Sequence, residues 1–363
     1  MFDVVIVGAG PAGTAAAFDL LDKGMKVLIL DKVEFPRKKA CAGGITPKGY
    51  HLFKYDISSM VKRECQSVRI TSKKDKAFTI SSKKTLCYMT NRQELDFFSL
   101  NKVMEMGAEF MITHKIMSID ESGSFVEIRT QSGNFKASYL IGADGANSIV
   151  RRFVTKKKFF KKQFAIEADV KIDRPDTFPM EFDFSWHANG YFWIFPKDDH
   201  LNIGIYSIDS NLKPNTQDLS DFARKRIGCD NLEAVKGYPI CTGGGSYQFD
   251  GQSGSRRTLL VGDAAGFAEP LFGEGIYFAI KSGQTAAQAI LRSGNEPDSV
   301  KSGYIKKLKG IQADLKLYDL SAAFFYRFPR ISLKVASIPF IRERFARGYG
   351  NGDSLSALIF GRR

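Results

Sequence analysis

The sequence predicts an α/β fold in which a Rossmann-like dinucleotide-binding domain is joined to an antiparallel-sheet substrate domain and a helical C-terminal tail. Near the start, the apolar run 3–7 leads into Gly-Ala-Gly-Pro-Ala-Gly at 8–13, a helical run and a second apolar run that ends at Asp31. Residues 164–207 hold aromatic-rich apolar runs typical of an antiparallel sheet. The remainder, 298–363, is predicted to be helical and mixes Lys and Arg with Phe, Leu and Ile.

The glycine pattern at the N-terminus indicates a site for an adenine dinucleotide. Gly8 permits a tight turn, Gly10 lets the backbone approach a pyrophosphate, and Gly13 allows the helix to pack closely on the strand. Asp31 follows Gly8 by 23 residues, the spacing expected of an acid that binds a ribose hydroxyl. A purely structural turn is the alternative, but the strand, helix and acid are all in register.

Composition describes a globular protein. Of the 363 residues, 44% are hydrophobic and 25% are charged, as in ordinary globular proteins. The length of the chain predicts two connected lobes. The five cysteines form no C-x-x-C motif, so the sequence predicts neither a zinc site nor a disulfide framework. The first strand begins almost at Met1 and leaves no room for a signal peptide. We therefore expect a cytoplasmic protein, with peripheral contact at the inner face of the membrane as an alternative.

The net charge of +14 favours an anionic partner. The densest basic cluster, 156–162, interleaves lysines with two phenylalanines. No signature of a nucleic-acid-binding module accompanies it, so no nucleic-acid partner is predicted. Two interpretations stay open, a solvated basic loop and attraction to anionic lipid.

Two further glycine–acid turns follow apolar runs. Gly142-Ala143-Asp144-Gly145 is the first, and Gly262-Asp263-Ala264-Ala265-Gly266 is the second. An acid beside glycine at the end of a strand can bind a sugar-chain hydroxyl while the glycine lets the ligand approach. Each of these turns, taken alone, could be a tight turn with no ligand. Together with the glycine pattern at 8–13, in this order along the chain, they indicate one nucleotide site.

With these motifs, residues 1–295 resemble the FAD-dependent oxidoreductases of the aromatic hydroxylase superfamily, and within it the geranylgeranyl reductase family. The segment Lys39–Ile45 is similar to the family's Lys-x-Cys-Gly-Gly-Gly-Leu element, although Ala42 replaces a glycine. The Tyr-x-Trp-x-Phe-Pro element is matched in full by residues 191–196, and the Gly-Asp-Ala-Ala-Gly…Pro-x-x-Gly-x-Gly-Ile element by residues 262–276.

The resemblance implies FAD as cofactor and assigns a role to individual residues. Asp31 would bind the adenosine ribose, Asp263 the ribityl chain, and Arg92 would lie near the cofactor as a phosphate partner. Cys41 would contact the flavin, with proton transfer as a further hypothesis and an inert buried thiol as the alternative. The predicted cofactor-binding residues are Gly8, Gly10, Ala12, Gly13, Asp31, Cys41, Ala42, Gly44, Arg92, Ile116 through its backbone, Asp144, Asp263, Gly275 and Ile276.

Three aromatic residues are predicted to line the substrate pocket. Tyr191, Trp193 and Phe195 alternate along one strand and therefore share a face. Ordinary core packing is the alternative. The four histidines have no ligand spacing, so no metal site is predicted.

The same resemblance divides the chain into parts. Residues 1–60, 91–160 and 245–295 are predicted to form a discontinuous FAD-binding domain. Residues 61–90 and 161–244 would form the substrate domain, and 296–363 the helical C-terminal region.

The predicted function is reduction of C=C bonds in a geranylgeranyl, isoprenoid-like or other long apolar substrate by hydride transfer from reduced flavin. An FAD-dependent aromatic monooxygenase or halogenase is the enzymatic alternative, and a prenyl or lipid carrier is the non-enzymatic one. The partners would be the apolar or lipid substrate and an electron donor. The sequence leaves NAD(P)H and ferredoxin open as donors.

Overall fold

The structure, a computed structural model, shows three sheets in the part of the chain that it describes. The larger two have seven strands each, and a small one has three. The residues that the structure describes are 1–73, 76–155, 160–186, 189–229, 231–244, 255–293 and 296–361.

A mainly parallel sheet forms the core of the N-terminal lobe. Its central strands are the two apolar runs predicted at the start of the chain, and Val4–Ile6 and Leu28–Leu30 are almost fully buried. Such runs are typical of strands covered on both faces. The strand order is β8-β2-β1-β11-β10-β9, with β17 pairing in parallel with β11. The strands are β1 (Phe2–Val7), β2 (Val27–Asp31), β8 (Glu109–Ile112), β9 (Ile116–Glu121), β10 (Val126–Thr130), β11 (Gly133–Gly142) and β17 (Thr258–Leu260).

Residues 109–121 form two strands at opposite edges of this sheet. β8 pairs with β2, whereas β9 pairs with β10. Between the two strands, the N–H of Thr113 donates to the carbonyl of Asp31, and the carbonyl of Lys115 accepts from the N–H of Gln131. The short connection 113–115 therefore carries the chain from one edge of the sheet to the other.

The second large sheet is antiparallel except at one pairing, β5 with β13. Its order is β16-β12-β15-β14-β13-β5-β6, and the small sheet has the order β3-β7-β4. The strands of the large sheet are β5 (Ser67–Ser72), β6 (Phe78–Ser81), β12 (Lys161–Lys171), β13 (Met180–Phe184), β14 (Gly190–Pro196), β15 (His200–Ser207) and β16 (Glu233–Thr242). Those of the small sheet are β3 (Gly44–Ile45), β4 (Val61–Cys65) and β7 (Cys87–Thr90).

Helices cover the parallel sheet and make up the tail. Two of them, α1 and α6, pack against each other so closely that a Cβ on Gly283 would lie 2.2 Å from the carbonyl oxygen of Ala12. The helices are α1 (Pro11–Leu21), α2 (Pro47–Tyr50), α3 (Arg92–Glu105), α4 (Ile149–Val154), α5 (Thr216–Ile227), α6 (Ile276–Ser293), α7 (Pro297–Arg327), α8 (Pro329–Ser337), α9 (Pro339–Gly350) and α10 (Leu355–Phe360).

The predicted domain boundaries stay a proposal. Strands of the parallel sheet come from 2–31, 109–142 and 258–260, and those of the large antiparallel sheet from 67–81 and 161–242. Of the predicted basic cluster, residues 156–159 lie outside the described part of the chain, as do residues 245–254.

Candidate active site

The first glycine turn is too crowded for side chains. Gly8 has a φ of +107°, and a Cβ there would lie 2.4 Å from the carbonyl oxygen of Ala143. A Cβ on Gly13 would lie 1.9 Å from the carbonyl oxygen of Gly8. Gly10 is the N-cap residue of α1 and has no side chain to cap it. The open N-terminus of a helix behind a glycine turn fits a pyrophosphate.

A cation that the sequence analysis missed stands at this turn. A Cβ built on Gly10 would lie 3.6 Å from a terminal nitrogen of Arg37. The guanidinium of Arg37 is also 3.2 Å from the carboxylate of Asp96. Arg37 lies in a predicted polar loop with no motif around it, and only the fold brings it to the glycines.

Asp31 is held at the end of β2 by the turn itself. One carboxylate oxygen accepts a 2.8 Å hydrogen bond from the N–H of Ala9, and the other accepts from the N–H of Lys32 at 2.7 Å. Ile116 is buried at the start of β9, where it pairs with Thr130. Their roles toward the ribose and the adenine stay predictions.

Asp144 is engaged within its own turn. Its carboxylate accepts hydrogen bonds from the hydroxyl of Ser148 and from the N–H groups of Ile149, at 2.6 Å, and Val150, at 3.2 Å. These bonds hold the first turn of α4, so the structure gives Asp144 a helix-capping role. Its predicted contact with the cofactor stays a prediction.

Asp263 and Gly275 meet although they lie on separate elements. A Cβ on Gly275 would lie 3.3 Å from Oδ1 of Asp263. Burial raises the pKa of Asp263, and the positive charge of Lys39 opposes that rise. Gly275 directly precedes α6, whose first residue is Ile276 and whose first turn holds no acidic side chain. An acid, a glycine and the positive end of a helix therefore converge there.

Arg92 is buried in an ion pair instead of standing free. Its Nε and one terminal nitrogen each donate a 2.8 Å hydrogen bond to Asp96, one turn farther along α3. Burial alone would raise the pKa of Asp96, but the adjacent Arg92 guanidinium brings it below its usual value. The guanidinium also contacts the thiol of Cys41. A phosphate would therefore share this cation with Asp96.

The loop that carries Cys41 is fixed from both sides. The N–H of Cys41 donates to Oε1 of Glu167, and Nζ of Lys197 donates to the carbonyl oxygens of Ala42 and Thr90. A Cβ on Gly44 would lie 2.8 Å from the ring of Phe195. Burial raises the pKa of Glu167 to about 7 and lowers the pKa of Lys197.

Lys197 and Glu167 were absent from the predicted site. Lys197 directly follows Pro196 of the Tyr-x-Trp-x-Phe-Pro element, and this position was the one signal in the sequence that could have placed it in the site. Glu167 lies on β12 among alternating residues and carries no comparable signal.

The three predicted pocket aromatics point to one side of β14 and line a cavity. Trp193 Nε1 donates a 2.9 Å hydrogen bond to Asn202, and the hydroxyl of Tyr191 donates to the carbonyl of Phe272 at 2.6 Å. Phe192 points to the other side of the sheet, where its ring stacks on Phe222 with centroids 4.0 Å apart.

The cavity has a volume of about 720 Å³ and is lined mainly by apolar side chains. It reaches from the Asp263–Gly275 meeting point, past the β14 aromatics, to the C-terminal helices. The C-terminal tail, in which the sequence shows no recognisable motif, contributes lining residues from each of its helices α7, α8, α9 and α10. Examples are Phe325, Leu333, Phe345 and Leu358.

One polar cluster borders this apolar space. Lys48 and Glu274 form a buried ion pair at 3.0 Å, and Nζ of Lys48 lies 3.3 Å from the hydroxyl of Tyr318. Burial would lower the pKa of Lys48, but the Glu274 carboxylate raises it above its usual value. The charge of Lys48 is thus neutralised by Glu274, which lines the cavity together with Thr46.

The described ranges contain no group of three His, Cys, Asp or Glu side chains that could hold a metal ion. No helix within them is long and apolar enough to cross a membrane.

The turn formed by Gly8, Gly10 and Gly13, which we call the glycine cradle, and the buried acids fit the FAD that the resemblance implied. Comparison with known proteins agrees.

Residues 1–189 match the FAD binding domain family. An uncharacterised protein of Methanosarcina barkeri is 39% identical over 335 residues, which span 90% of this chain and 84% of that protein. The geranylgeranyl diphosphate reductase of Rhodobacter capsulatus is 30% identical over 84% of this chain and 80% of its own.

Solved structures share the fold. A geranylgeranyl bacteriochlorophyll reductase-like protein from Thermoplasma acidophilum superposes with a TM-score of 0.76 at 21% identity, over 99% of this chain and 95% of that one. A flavin-dependent brominase superposes with a TM-score of 0.74 at 20% identity, over 96% and 93% of the two chains. The FAD binding domain match fits both neighbours, and the Rhodobacter relative decides between them: the chain belongs to the FAD-dependent geranylgeranyl reductase family.

Proposed function

We propose that this FAD-dependent oxidoreductase saturates C=C bonds of a geranylgeranyl or similar long isoprenoid chain. The observation that carries the proposal is the apolar cavity, which runs without interruption from Asp263 and Gly275 to Leu358 in the tail. A long hydrocarbon chain matches such a space, and burying it there removes apolar surface from water. The Rhodobacter relative, named a geranylgeranyl diphosphate reductase, supports the same substrate class.

The chain's own residues would orient and shield the reacting groups. When bound and reduced, FAD supplies a hydride to one alkene carbon. The N-terminus of α6 offers its dipole to the negative charge that accompanies reduction of the cofactor. Tyr191, Trp193 and Phe195 would hold the chain in place and exclude water, which favours close approach of the alkene.

The second hydrogen must reach the other alkene carbon as a proton. Glu167 borders the cavity beside the Cys41 loop, and its pKa of about 7 leaves a proton on the carboxyl in neutral solution for part of the time. We propose Glu167 as the group that holds this proton. Cys41, which also lines the cavity, is the second candidate, and its contact with the cofactor is part of the proposal.

The test is anaerobic turnover of geranylgeranyl diphosphate by the holoprotein, with dithionite in place of the natural electron donor. We expect products heavier by two hydrogens per reduced double bond in mass spectra. In D₂O each reduced bond should gain two deuterium atoms at carbon, because dithionite supplies only electrons and both the hydride and the proton then come from solvent. Unchanged substrate beside reduced flavin would contradict the proposal.

A halogenase or monooxygenase is the second candidate function, because the brominase shares the fold over nearly its whole length. These reactions consume oxygen. Uptake of oxygen that depends on an aromatic substrate, with or without bromide, would favour this candidate. The aromatics of β14 are Tyr-x-Trp-x-Phe-Pro instead of the Trp-x-Trp-x-Ile-Pro of flavin halogenases, which favours the reductase.

A further inference from the structure

Exposed apolar side chains are concentrated at one place in the described chain, the end of α7 and the beginning of α8 and α9. Six of them, which we call the apolar stripe, are between 45% and 69% exposed. Single exposed apolar residues are ordinary, but a contiguous group marks an interaction surface. The stripe consists of Leu320, Phe324, Phe328, Ile331, Val335 and Phe340.

The spacing makes the stripe continuous. Leu320 and Phe324 on α7, and Ile331 and Val335 on α8, are each four residues apart, the spacing that places two side chains on one face of a helix. The rings of Phe324 and Phe328 are in contact across the junction of α7 and α8, with centroids 5.4 Å apart.

The stripe is embedded in positive charge. Residues 320–347 contain six Lys and Arg side chains and one acidic residue, Glu343. Arg327, Arg330 and Lys334 are exposed, and none forms an ion pair with another described residue. An apolar face edged by cations is complementary to a bilayer that contains anionic lipid.

The stripe also borders the entrance of the cavity. Phe324, Ile331 and Val335 line the cavity although each is at least 45% exposed, so the apolar space opens between them. A substrate that passes this mouth moves from one apolar surface to another.

We propose that the apolar stripe docks on the surface of an anionic lipid bilayer, with the cavity mouth facing the hydrocarbon. A lipid could then enter the cavity directly from the membrane. A protein partner seated on the stripe would cover the mouth, and a second copy would bring two positively charged faces together. Docking on lipid does not depend on the reaction proposed for the cavity, so the two proposals can fail separately.

The test is co-sedimentation of the holoprotein with vesicles of phosphatidylcholine alone or mixed with phosphatidylglycerol. We expect binding to the mixed vesicles, weaker binding at raised salt, and much weaker binding to phosphatidylcholine alone. The double variants Phe324→Ser/Phe340→Ser and Arg330→Glu/Lys334→Glu should each reduce binding at least about tenfold.

Matched controls carry the same chemical changes away from the stripe. Met117 on β9 is 56% exposed, so Met117→Ser removes a similar apolar side chain. Lys306→Glu/Lys309→Glu reverses two exposed charges in the first half of α7. Both controls should bind within about twofold of the unmodified protein.

Three outcomes would overturn the proposal. In the first, the holoprotein stays in the supernatant with mixed vesicles. In the second, the stripe variants bind as well as the controls do. In the third, light scattering finds a dimer that both stripe variants dissociate, which would make the stripe an interface between copies of this chain.

Discussion

The backbone N–H of Cys41 donates a 2.8 Å hydrogen bond to Oε1 of Glu167, a residue 126 positions later in the chain. The bond joins the loop predicted to lie against the flavin to the middle of the antiparallel sheet. The other oxygen of Glu167 lies 3.5 Å from Nδ2 of Asn202. Two neutral donors therefore hold a carboxyl group at the cavity wall.

Burial raises the pKa of Glu167 to about 7. Activity is therefore expected to fall as the pH rises through about 7, because the carboxyl group loses its proton. Nearby, Asp169 raises this pKa further and Lys197 lowers it. Glu167→Gln, which cannot titrate, should be slower and should lack this decline. The measurement is single-turnover reduction across a pH series, with flavin content checked by visible absorbance.

The control for this variant is Glu105→Gln, which neutralises a carboxylate whose side chain is 63% exposed. It should keep the rate and pH profile of the unmodified protein. A Glu167→Gln protein with an unchanged decline would exclude this carboxyl as the proton-holding group.

The same titration should appear in stability. The folded protein retains a proton on Glu167 up to a pKa of about 7, whereas the ordinary value is 4.5. Between those pH values the folded state binds more protons than the unfolded state, so this group lowers the free energy of unfolding as pH rises. Urea unfolding of the apoprotein should show a smaller decline in Glu167→Gln.

Gly13→Ala should abolish flavin binding and destabilise the N-terminal lobe. The new Cβ would lie 1.9 Å from the carbonyl oxygen of Gly8, and neither backbone segment can move without opening the turn. We expect a loss of about 3 kcal/mol or more, measured by urea unfolding, together with a colourless protein. Gly123→Ala is the control, since its Cβ would meet nothing within 4 Å. A yellow, stable Gly13→Ala protein would contradict the assignment of the cradle.

Replacing Arg92 by Met should cost about 3–5 kcal/mol, because it leaves the buried Asp96 with one ion-pair partner among the described residues, Arg37, and with the more distant charge of Lys39. Unfolding the apoprotein and the holoprotein separates two roles. If Arg92 is purely structural, both forms lose the same stability. A larger loss in the holoprotein would show that the guanidinium also contributes to FAD binding. The double variant Arg92→Met/Asp96→Leu should recover part of the lost stability in either case.

Phe195→Leu should change substrate use more than stability, because the ring lines the cavity. We expect KM for a geranylgeranyl substrate to rise about fivefold, since the smaller side chain removes about 1 kcal/mol of apolar contact. Phe192→Leu is the matched control on the same strand, because its ring stacks on Phe222 beneath the sheet. That change should lower stability and leave KM unaltered. Equal effects of the two on KM would contradict a substrate role for the aromatic face.

The features that could be predicted from the sequence are those encoded locally. The crowding of Gly13 against the carbonyl of Gly8 follows from a strand, a turn and a helix that are adjacent in the chain. The shared face of Tyr191, Trp193 and Phe195 follows from the period of a strand.

The features that could not be predicted depend on contacts between distant segments. Glu167 meets Cys41 only because β12 passes beneath the loop, and no spacing in the sequence records that contact. The Arg92–Asp96 pair is an exception. Its spacing of four residues is the one at which side chains meet along a helix, so the sequence itself carries a signal for this pair.

The four tail helices contribute a wall of the cavity, whereas Pro11 and Asp263, which belong to two of the glycine turns, line a different part of it. Changes of side-chain volume at Leu333 or Leu358 can therefore alter the length of chain that fits without disturbing the nucleotide cradle. Exchanging the tail between relatives offers a route to new chain-length preference, with the redox chemistry left intact.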